Sequence, residues 1–264
     1  MDWFTALLIG MIQGLLEWLP VSSSGQTTIV MVNFLGIRPE AAISFGLAVH
    51  IGTAFAVFAR YPKPLLDMLD LRTPTGTKRF YWITTIISLA VALPVLWALE
   101  STFDSNLWTG LSVTVLVGLG LVITGLALRR VRRSSLRRVS GGSVADYLLV
   151  GLGQAFAVLP GVSRSGLTMA ALLGRKFRKV EALTFSFLLS VPVSAAAFAY
   201  MLVFEKIEGI PLWLLAVAAL SSFVFGYLSI RALVGLARGV RFSKFCIFLG
   251  GITVAIALSL WWIG

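Results

Sequence analysis

The sequence has 264 residues, of which 58% are hydrophobic and 12% are charged, and its mean hydropathy is +0.93. A typical soluble domain is about 45–50% apolar and about 25% charged, so this composition excludes a soluble globular protein as well as a disordered chain. The single cysteine excludes a disulfide framework. The net charge of +11 would suggest nucleic-acid binding in a soluble protein, but here the charge must first be compared with a membrane topology.

Apolar runs in chain order predict six spanning helices and two broken segments. A helix needs about 20 apolar residues to cross the hydrocarbon core. The segment 3–36 is interrupted at 19–25 (Leu-Pro-Val-Ser-Ser-Ser-Gly), and the segment 144–174 is interrupted at 159–166 (Leu-Pro-Gly-Val-Ser-Arg-Ser-Gly). Each half is too short to span, so both segments are predicted to be re-entrant hairpins covered by protein. The full spans are predicted at 40–60, 80–100, 106–128, 180–204, 211–235 and 245–262.

Basic residues set the predicted orientation. Most of the 22 lysines and arginines lie in four connections, 60–79, 129–138, 175–179 and 231–244, whereas acidic residues dominate the other short loops. The positive-inside rule makes the basic connections cytoplasmic. Both termini then lie outside, the first hairpin enters from outside and the second from inside. The arginine run within 129–138 is interpreted as a loop near anionic lipid, in preference to a nucleic-acid patch.

The two broken segments resemble each other at an offset of 141 residues. Each is followed by three spans, and an odd number of spans inverts the second unit. The predicted fold is therefore an all-α polytopic membrane protein with an inverted repeat, comprising residues 1–129 and 144–264, joined by a basic cytoplasmic linker, 130–143. Such repeats place a binding site near the midplane. The matching pairs are Gly10 with Gly151, Gln13 with Gln154, Ser22 with Ser163, Ser24 with Ser165, Gly25 with Gly166 and Thr27 with Thr168.

Two full charges, Glu17 and Arg164, are left at membrane depth, one at each break. A charge at the centre of a membrane helix costs at least roughly 2.5–3.5 kcal/mol, so each is expected to face a cavity and a partner. One interpretation is a structural ion pair that closes the hairpin tips. The other is a ligand site, since Gln13 and Glu17 share a helix face and offer oxygen ligands for a hard cation.

Serine-rich turns at the two breaks predict anion binding. Residues 22–25 (Ser-Ser-Ser-Gly) and 163–166 (Ser-Arg-Ser-Gly) each precede a half-helix, and helix N-termini bind anions through their free amides. The guanidinium of Arg164 can also grip phosphate oxygens in a bidentate manner. The pattern predicts a diphosphate site with an optional metal ion.

The same stretches carry a family resemblance. Residues 10–25 (Gly-Met-Ile-Gln-Gly-Leu-Leu-Glu-Trp-Leu-Pro-Val-Ser-Ser-Ser-Gly) resemble the signature of the undecaprenyl-pyrophosphate phosphatase family, also called bacitracin-resistance proteins. Residues 160–168 (Pro-Gly-Val-Ser-Arg-Ser-Gly-Leu-Thr) resemble its second motif, and 47–53 and 185–192 are also similar. The resemblance implies a plasma-membrane hydrolase that converts a long-chain polyprenyl diphosphate to the monophosphate at the external face, recycling the lipid carrier of envelope glycan synthesis. It also implies a divalent cation, Mg²⁺ or Ca²⁺.

By this resemblance, Glu17, Ser23 and Arg164 are catalytic, with Ser23 as the proposed nucleophile, and Gln13 and Glu17 hold the metal ion. The chain departs from the family at Gln13, where the acidic position has no charge, and at Gln26, where a histidine is usual. Histidine chemistry at position 26 is therefore excluded, and Gln26→His is predicted to raise turnover. The expected substrate-binding residues are Gln13, Ser22, Ser24, Gly25, Gln26, Gly161, Ser163, Ser165, Gly166 and Thr168.

Two other functions are kept open: a polyprenyl-phosphate flippase without hydrolysis, and a structural membrane protein, which the charges at the breaks disfavour. The expected partners are polyprenyl diphosphate, the membrane and a second copy in a homodimer, with no nucleic acid. The only histidine, His50, is interpreted either as a buried neutral residue bonded to backbone or as a base that lines the cavity. Interfacial tryptophans are predicted at positions 18, 97, 108, 213, 261 and 262.

Overall fold

The computed structural model describes residues 1–70, 72–102, 108–129, 137–204, 210–236 and 242–263. Within these ranges the chain forms eleven α-helices and two short 3-10 turns, Val139–Gly141 and Phe156–Val158. The helices are α1 (Trp3–Leu16), α2 (Ser23–Asn33), α3 (Pro39–Arg60), α4 (Pro62–Leu69), α5 (Gly76–Glu100), α6 (Gly110–Arg129), α7 (Val144–Ala155), α8 (Arg164–Gly174), α9 (Lys179–Phe204), α10 (Leu212–Leu236) and α11 (Phe242–Ile263).

The six predicted spans are confirmed as helices. By length and composition α3, α5, α6, α9, α10 and α11 can each cross a membrane. The two broken segments are confirmed as pairs of short helices, α1 with α2 and α7 with α8. Part of the predicted linker, 130–136, lies outside the described residues, as do Asp104, Glu205, Lys206, Glu208, Arg238 and Arg241.

One basic connection is more ordered than a solvated loop. Residues 60–79 contain α4, which begins directly after α3 with Pro62 in its first turn. Behind it, the Lys78 side chain is buried, with Nζ 3.1 Å from Asp67 Oδ1 and donating to the Asp70 carbonyl at 2.7 Å. A helix of eight residues with two prolines gives a weak sequence signal, which is why it was not predicted.

A second buried carboxylate anchors the start of α7. Asp146 closes a capping box with Ser143 and receives the Arg137 guanidinium at 2.6 Å together with that of Arg175. Burial raises the pKa of Asp146, but the hydrogen bonds from Arg137 and Arg175 outweigh that effect and hold the pKa below its ordinary value. The base of the second hairpin is thereby tied to the segment that precedes it.

Helix packing places α3 at the centre and α11 at the periphery. In their most apolar stretches, 72% of α3 is buried but only 17% of α11. Small residues let the helices approach closely: a Cβ added to Gly10 of α1 would lie 2.1 Å from the Ala218 carbonyl of α10. The long helices thus enclose the two broken pairs and position the breaks.

The prediction for Trp18 was wrong. This side chain is 5% exposed, and its indole Nε1 donates to the Gly226 carbonyl at 3.0 Å. Its ring lies 5.0 Å from that of Phe187. Trp18 directly follows Glu17, so the indole is an internal anchor for the first break, whereas Trp97 is 70% exposed as an interfacial tryptophan would be.

Candidate active site

The two breaks have the same local design. Ser22 precedes α2 and its Oγ accepts from the Gly25 amide at 3.3 Å; Ser163 precedes α8 and its Oγ accepts from the Gly166 amide at 3.2 Å. In each case the serine satisfies one of the four amides that a helix leaves unpaired at its N-terminus. The remaining amides and the positive end of the helix dipole favour a bound anion.

The breaks differ in backbone conformation. Ser22 has φ +56°, in the left-handed region, whereas Ser163 has φ −78°. A left-handed conformation at a residue other than glycine is costly and is retained only where surrounding structure imposes it. The sharp reversal at Ser22 turns the chain back on α1, so that the next residue, Ser23, places its Oγ 2.6 Å from Glu17 Oε2.

Hydrogen bonds and close packing hold both turns. The Ser165 hydroxyl donates to the Leu19 carbonyl at 2.9 Å, which joins the second break to the first. The Ser163 amide donates to Thr124 Oγ1 of α6 at 3.1 Å. Gly161, with φ +87°, lies so close to α6 that an added Cβ would be 2.3 Å from Val117 Cα. The turns are therefore fixed by their neighbours.

The residues predicted to be catalytic meet around one carboxylate. Glu17 is 4% exposed, and its Oε1 is paired with the Arg164 guanidinium. Its Oε2 accepts from Ser23 and, at 2.8 Å, from Gln13 Nε2, and His50 Nε2 lies 3.3 Å away. Each of the two charges was expected to face a partner, and the structure pairs Glu17 and Arg164 with each other.

A cavity opens beside this carboxylate. Its apolar wall is contributed mainly by α5 and α9 and includes Leu89, Ala92, Leu93, Leu96, Val193 and Ala197. A polar floor against an apolar wall suits an amphiphile with an anionic head. The polar lining consists of Glu17, Ser22, Ser23, Ser24, His50, Gln154, Ser163, Arg164, Ser165, Ser194 and Tyr200.

Several predicted substrate-binding residues lie behind the wall of this cavity. Thr168 Oγ1 donates to the Arg164 carbonyl at 2.7 Å, and Gln26 Nε2 turns back to the Val21 carbonyl at 3.4 Å. The orientation of Gln26 removes the basis for expecting Gln26→His to raise turnover. The members of the predicted set that do not line the cavity are Gln13, Gly25, Gln26, Gly161, Gly166 and Thr168.

Four polar lining residues were missing from the predicted site: His50, Gln154, Ser194 and Tyr200. His50 lies in the familial stretch 47–53 and is the only histidine of the chain. These two features could have placed it among the predicted site residues. Gln154 is the counterpart of Gln13 in the second broken segment, and its Nε2 donates to Ser88 Oγ at 3.1 Å. No sequence motif marks Ser194 or Tyr200.

The side-chain oxygen atoms around Glu17 can bind a hard cation only if a bound ligand supplies further oxygen atoms. Among the described residues, no three histidine, cysteine or acidic side chains cluster. Gln13 Oε1, however, is buried without a hydrogen-bond partner, while Nε2 of the same amide donates to Glu17 Oε2. An amide oxygen and one carboxylate fit a single Mg²⁺ or Ca²⁺ whose other ligands are water and phosphate oxygens.

Comparison with known proteins agrees with this geometry. The family model described as Bacitracin resistance protein BacA matches residues 6–255. A protein of Methanothrix thermoacetophila named undecaprenyl-diphosphatase is 39% identical over 97% of this chain and 97% of its own length. One of Haloarcula marismortui with the same name is 39% identical, covering 94% and 95%, and undecaprenyl-diphosphatase 1 of Halalkalibacterium halodurans is 34% identical, covering 96% and 95%. With its six apolar spans, the chain is a multi-pass membrane protein that belongs to the bacitracin resistance protein BacA family.

Proposed function

We propose that this protein is a membrane phosphatase that hydrolyses a long-chain polyprenyl diphosphate of the undecaprenyl type to the monophosphate. The observation that carries the proposal is the contact of Ser23 and Arg164 with one buried carboxylate, Glu17, at the floor of an apolar cavity. The relatives named undecaprenyl-diphosphatase support hydrolysis over lipid flipping without chemistry. The product would return to use as the lipid carrier of envelope glycan synthesis.

Phosphate binding falls to Arg164 and the two helix N-termini. The guanidinium makes bidentate hydrogen bonds to two phosphate oxygens, and the amides at the starts of α2 and α8 donate to the other phosphate oxygens. Since each hairpin supplies one N-terminus, each of the two phosphates can be held by its own turn. The prenyl chain follows the apolar wall of α5 and α9 towards the lipid.

Ser23 is the nucleophile in this proposal, and Glu17 is its base. The Ser23 hydroxyl donates to Glu17 Oε2 at 2.6 Å, within the range for proton transfer. The oxygen bonds to the terminal phosphorus, its proton passes to Glu17, and the bridging oxygen leaves with the polyprenyl monophosphate. Water then hydrolyses the phosphoserine, and Glu17 returns the proton to Ser23. Direct attack by water, activated by Glu17, is the variant without a covalent intermediate.

A divalent cation is proposed to bind at Gln13 Oε1 and Glu17, together with the phosphates. When bound, Mg²⁺ or Ca²⁺ would neutralise part of the charge that develops on the phosphates. In the free protein, the Arg164 guanidinium already occupies Glu17 Oε1. Cation binding is therefore expected to depend on a phosphate that draws Arg164 away.

The topology proposed with this function is an inverted repeat in the plasma membrane, with residues 1–129 and 144–264 as its units and 130–143 as a cytoplasmic linker. The shared capping of Ser22 and Ser163 supports the repeat. The basic connections support an external active site, because they mark the cytoplasmic face. Association into a homodimer stays a prediction.

Release of inorganic phosphate from undecaprenyl diphosphate by the purified protein in detergent tests the function. We expect release with the diphosphate and none with the monophosphate, and loss of release with a chelator. Exchange of labelled prenyl phosphate between leaflets of proteoliposomes, without any phosphate release, would contradict hydrolysis and favour the flippase.

A further inference from the structure

His50 contacts an acceptor at both ends of its ring. It lies near the middle of α3, and its Nδ1 is 2.7 Å from the Gly46 carbonyl oxygen one turn earlier. Its Nε2 is 3.3 Å from Glu17 Oε2. A carbonyl oxygen only accepts a hydrogen bond, so Nδ1 is placed to donate to Gly46, and Nε2 lies within ion-pair distance of the carboxylate. The bond to Gly46 fixes the ring plane on α3, and the other edge of the ring is left to hold the carboxylate.

Glu17 has a charged partner on Oε1 and hydrogen-bonding partners on Oε2, and the proposed reaction draws the charged partner away. Oε1 is paired with Arg164, the residue that must turn to the substrate phosphate. A buried carboxylate that loses its counter-charge is strongly destabilised, and Glu17 is 4% exposed. Unless another group holds it, Glu17 would follow the guanidinium and leave Ser23.

We propose that His50 is a positioning residue that keeps the Glu17 carboxylate against Ser23 when Arg164 is transferred to phosphate. It contacts Oε2, the same oxygen that accepts from Ser23, and its anchor on α3 does not involve either hairpin. Its role therefore complements that of Arg164, which contacts the other carboxylate oxygen, Oε1. The inference rests on the proposed function for its consequence in the reaction, but the contact can be tested without turnover.

Nuclear magnetic resonance can observe this contact directly, because His50 is the only histidine in the chain. Protein labelled with ¹⁵N-histidine and purified without a histidine tag gives one imidazole. We expect Glu17→Gln to shift the Nε2 resonance and to leave Nδ1, which is bonded to Gly46, in place. The matched control, Asp146→Asn, makes the same change of carboxylate to amide at α7 and should shift neither.

Arg164→Ala then imitates the state in which the guanidinium has left Glu17. The proposal predicts that the Nε2 resonance in this variant stays close to that of the wild type, because His50 still holds the carboxylate. An Nε2 resonance like that of Glu17→Gln would overturn the proposal, as would an Nε2 resonance that does not respond to Glu17→Gln.

Kinetics supply the second readout. His50→Leu is expected to lower kcat by roughly 10- to 100-fold, the usual effect of removing a partner that orients a reacting group, with KM and thermal stability unchanged. His50→Gln, whose amide can donate to Glu17 from a similar distance, should recover most of kcat. A loss confined to KM, or equal loss in both variants, would overturn the positioning role. If the wild type releases no phosphate while the Nε2 response is as expected, the proposed function fails and the contact stands.

Discussion

Arg164 and Glu17, which lie 147 residues apart in sequence, form an ion pair between the two broken helices. Both side chains are largely buried, with 12% and 3% exposed. Neither charge could remain at this depth alone, because the desolvation of each would be uncompensated. The pair therefore brings the two turns together and, at the same time, places the proposed phosphate-binding group and the proposed base at the cavity.

The fork of Arg164 is expected to be irreplaceable. Arg164→Lys should lower kcat/KM almost as much as Arg164→Ala, by about 10²–10³-fold, the usual effect of losing one donor to a developing oxyanion, because an ammonium cannot make the bidentate contact. Phosphate release is the measurement. Arg178→Lys, at an exposed arginine with a partner at 3.8 Å, is the control and should be silent. A lysine variant that kept most of the activity would show that the bidentate contact is not required.

The carboxylate of Glu17 should be needed for both base and metal roles. Glu17→Gln is expected to lower kcat by about 10²–10⁴-fold, the range for a lost general base. Gln13→Glu restores a second carboxylate and should tighten Ca²⁺ binding, measured by calorimetry, without loss of turnover. Gln154→Glu adds the same charge in the second hairpin, at a side chain that donates to Ser88 and not to Glu17, and should not tighten Ca²⁺ binding. Near-normal turnover of Glu17→Gln would remove this residue from the chemistry.

Gln26→His is expected to leave turnover unchanged. The Gln26 side chain points back to the Val21 carbonyl and does not line the cavity, so an imidazole there would not reach Ser23. The pH–rate profile should accordingly gain no new ionisation near pH 6.5, the ordinary pKa of histidine. A clear rise in kcat with such an ionisation would show that the loop turns towards the substrate.

The turn at Gly161 should be sensitive to a single methyl group. In Gly161→Ala the new Cβ would meet Val117 backbone at 2.3 Å, at a residue with φ +87°. Overpacking of this kind costs about 1–3 kcal/mol, so thermal unfolding in detergent should occur at a lower temperature. Gly251→Ala, where nothing lies within 4 Å, is the matched control. Equal stability of both variants would contradict the described packing.

How much of this could be predicted from sequence depends on the length over which each signal acts. Spans of some 20 apolar residues and two interrupted segments are long patterns that the sequence shows directly. The charges at the two breaks each require a partner, so their pairing could also be expected. The contact of His50 with Glu17 and the burial of Trp18 against α10 depend on packing between distant helices, and the direction of Gln26 follows the left-handed turn at Ser22. A serine carries no sequence signal for that conformation, since glycine and asparagine usually adopt it.

Acid should remove the contribution of Asp146 to stability. Its pKa is lowered in the folded protein, so its stabilising effect is complete above the ordinary value of about 3.9 and disappears as the pH falls through the folded value. Asp146→Asn should destabilise by about 1–3 kcal/mol at neutral pH, less than for a wholly buried pair because Arg137 and Arg175 are over a third exposed.

The comparison of thermal unfolding between wild type and Asp146→Asn checks this expectation. The difference should be constant from about pH 8 to about pH 5 and narrow below about pH 4. Asp67→Asn, at a carboxylate with 58% exposure, is the control and should have little effect. If wild type and Asp146→Asn unfolded at the same temperature at neutral pH, the ion pairs of Asp146 with the two arginines would not contribute to stability.

Phosphate release from undecaprenyl diphosphate by four proteins in parallel tests the central claim most directly: the wild type, Ser23→Ala, Arg164→Ala and the surface control Arg178→Ala. We expect equal release by the wild type and Arg178→Ala, and at least a 10²-fold loss in the other two, measured at a temperature where all four are folded. Ser23→Ala and Arg178→Ala should unfold at the temperature of the wild type, and Arg164→Ala at a lower one because it leaves Glu17 buried without its counter-charge. Undiminished release by Ser23→Ala and Arg164→Ala would contradict it, because the reaction would then occur without the groups that meet at Glu17.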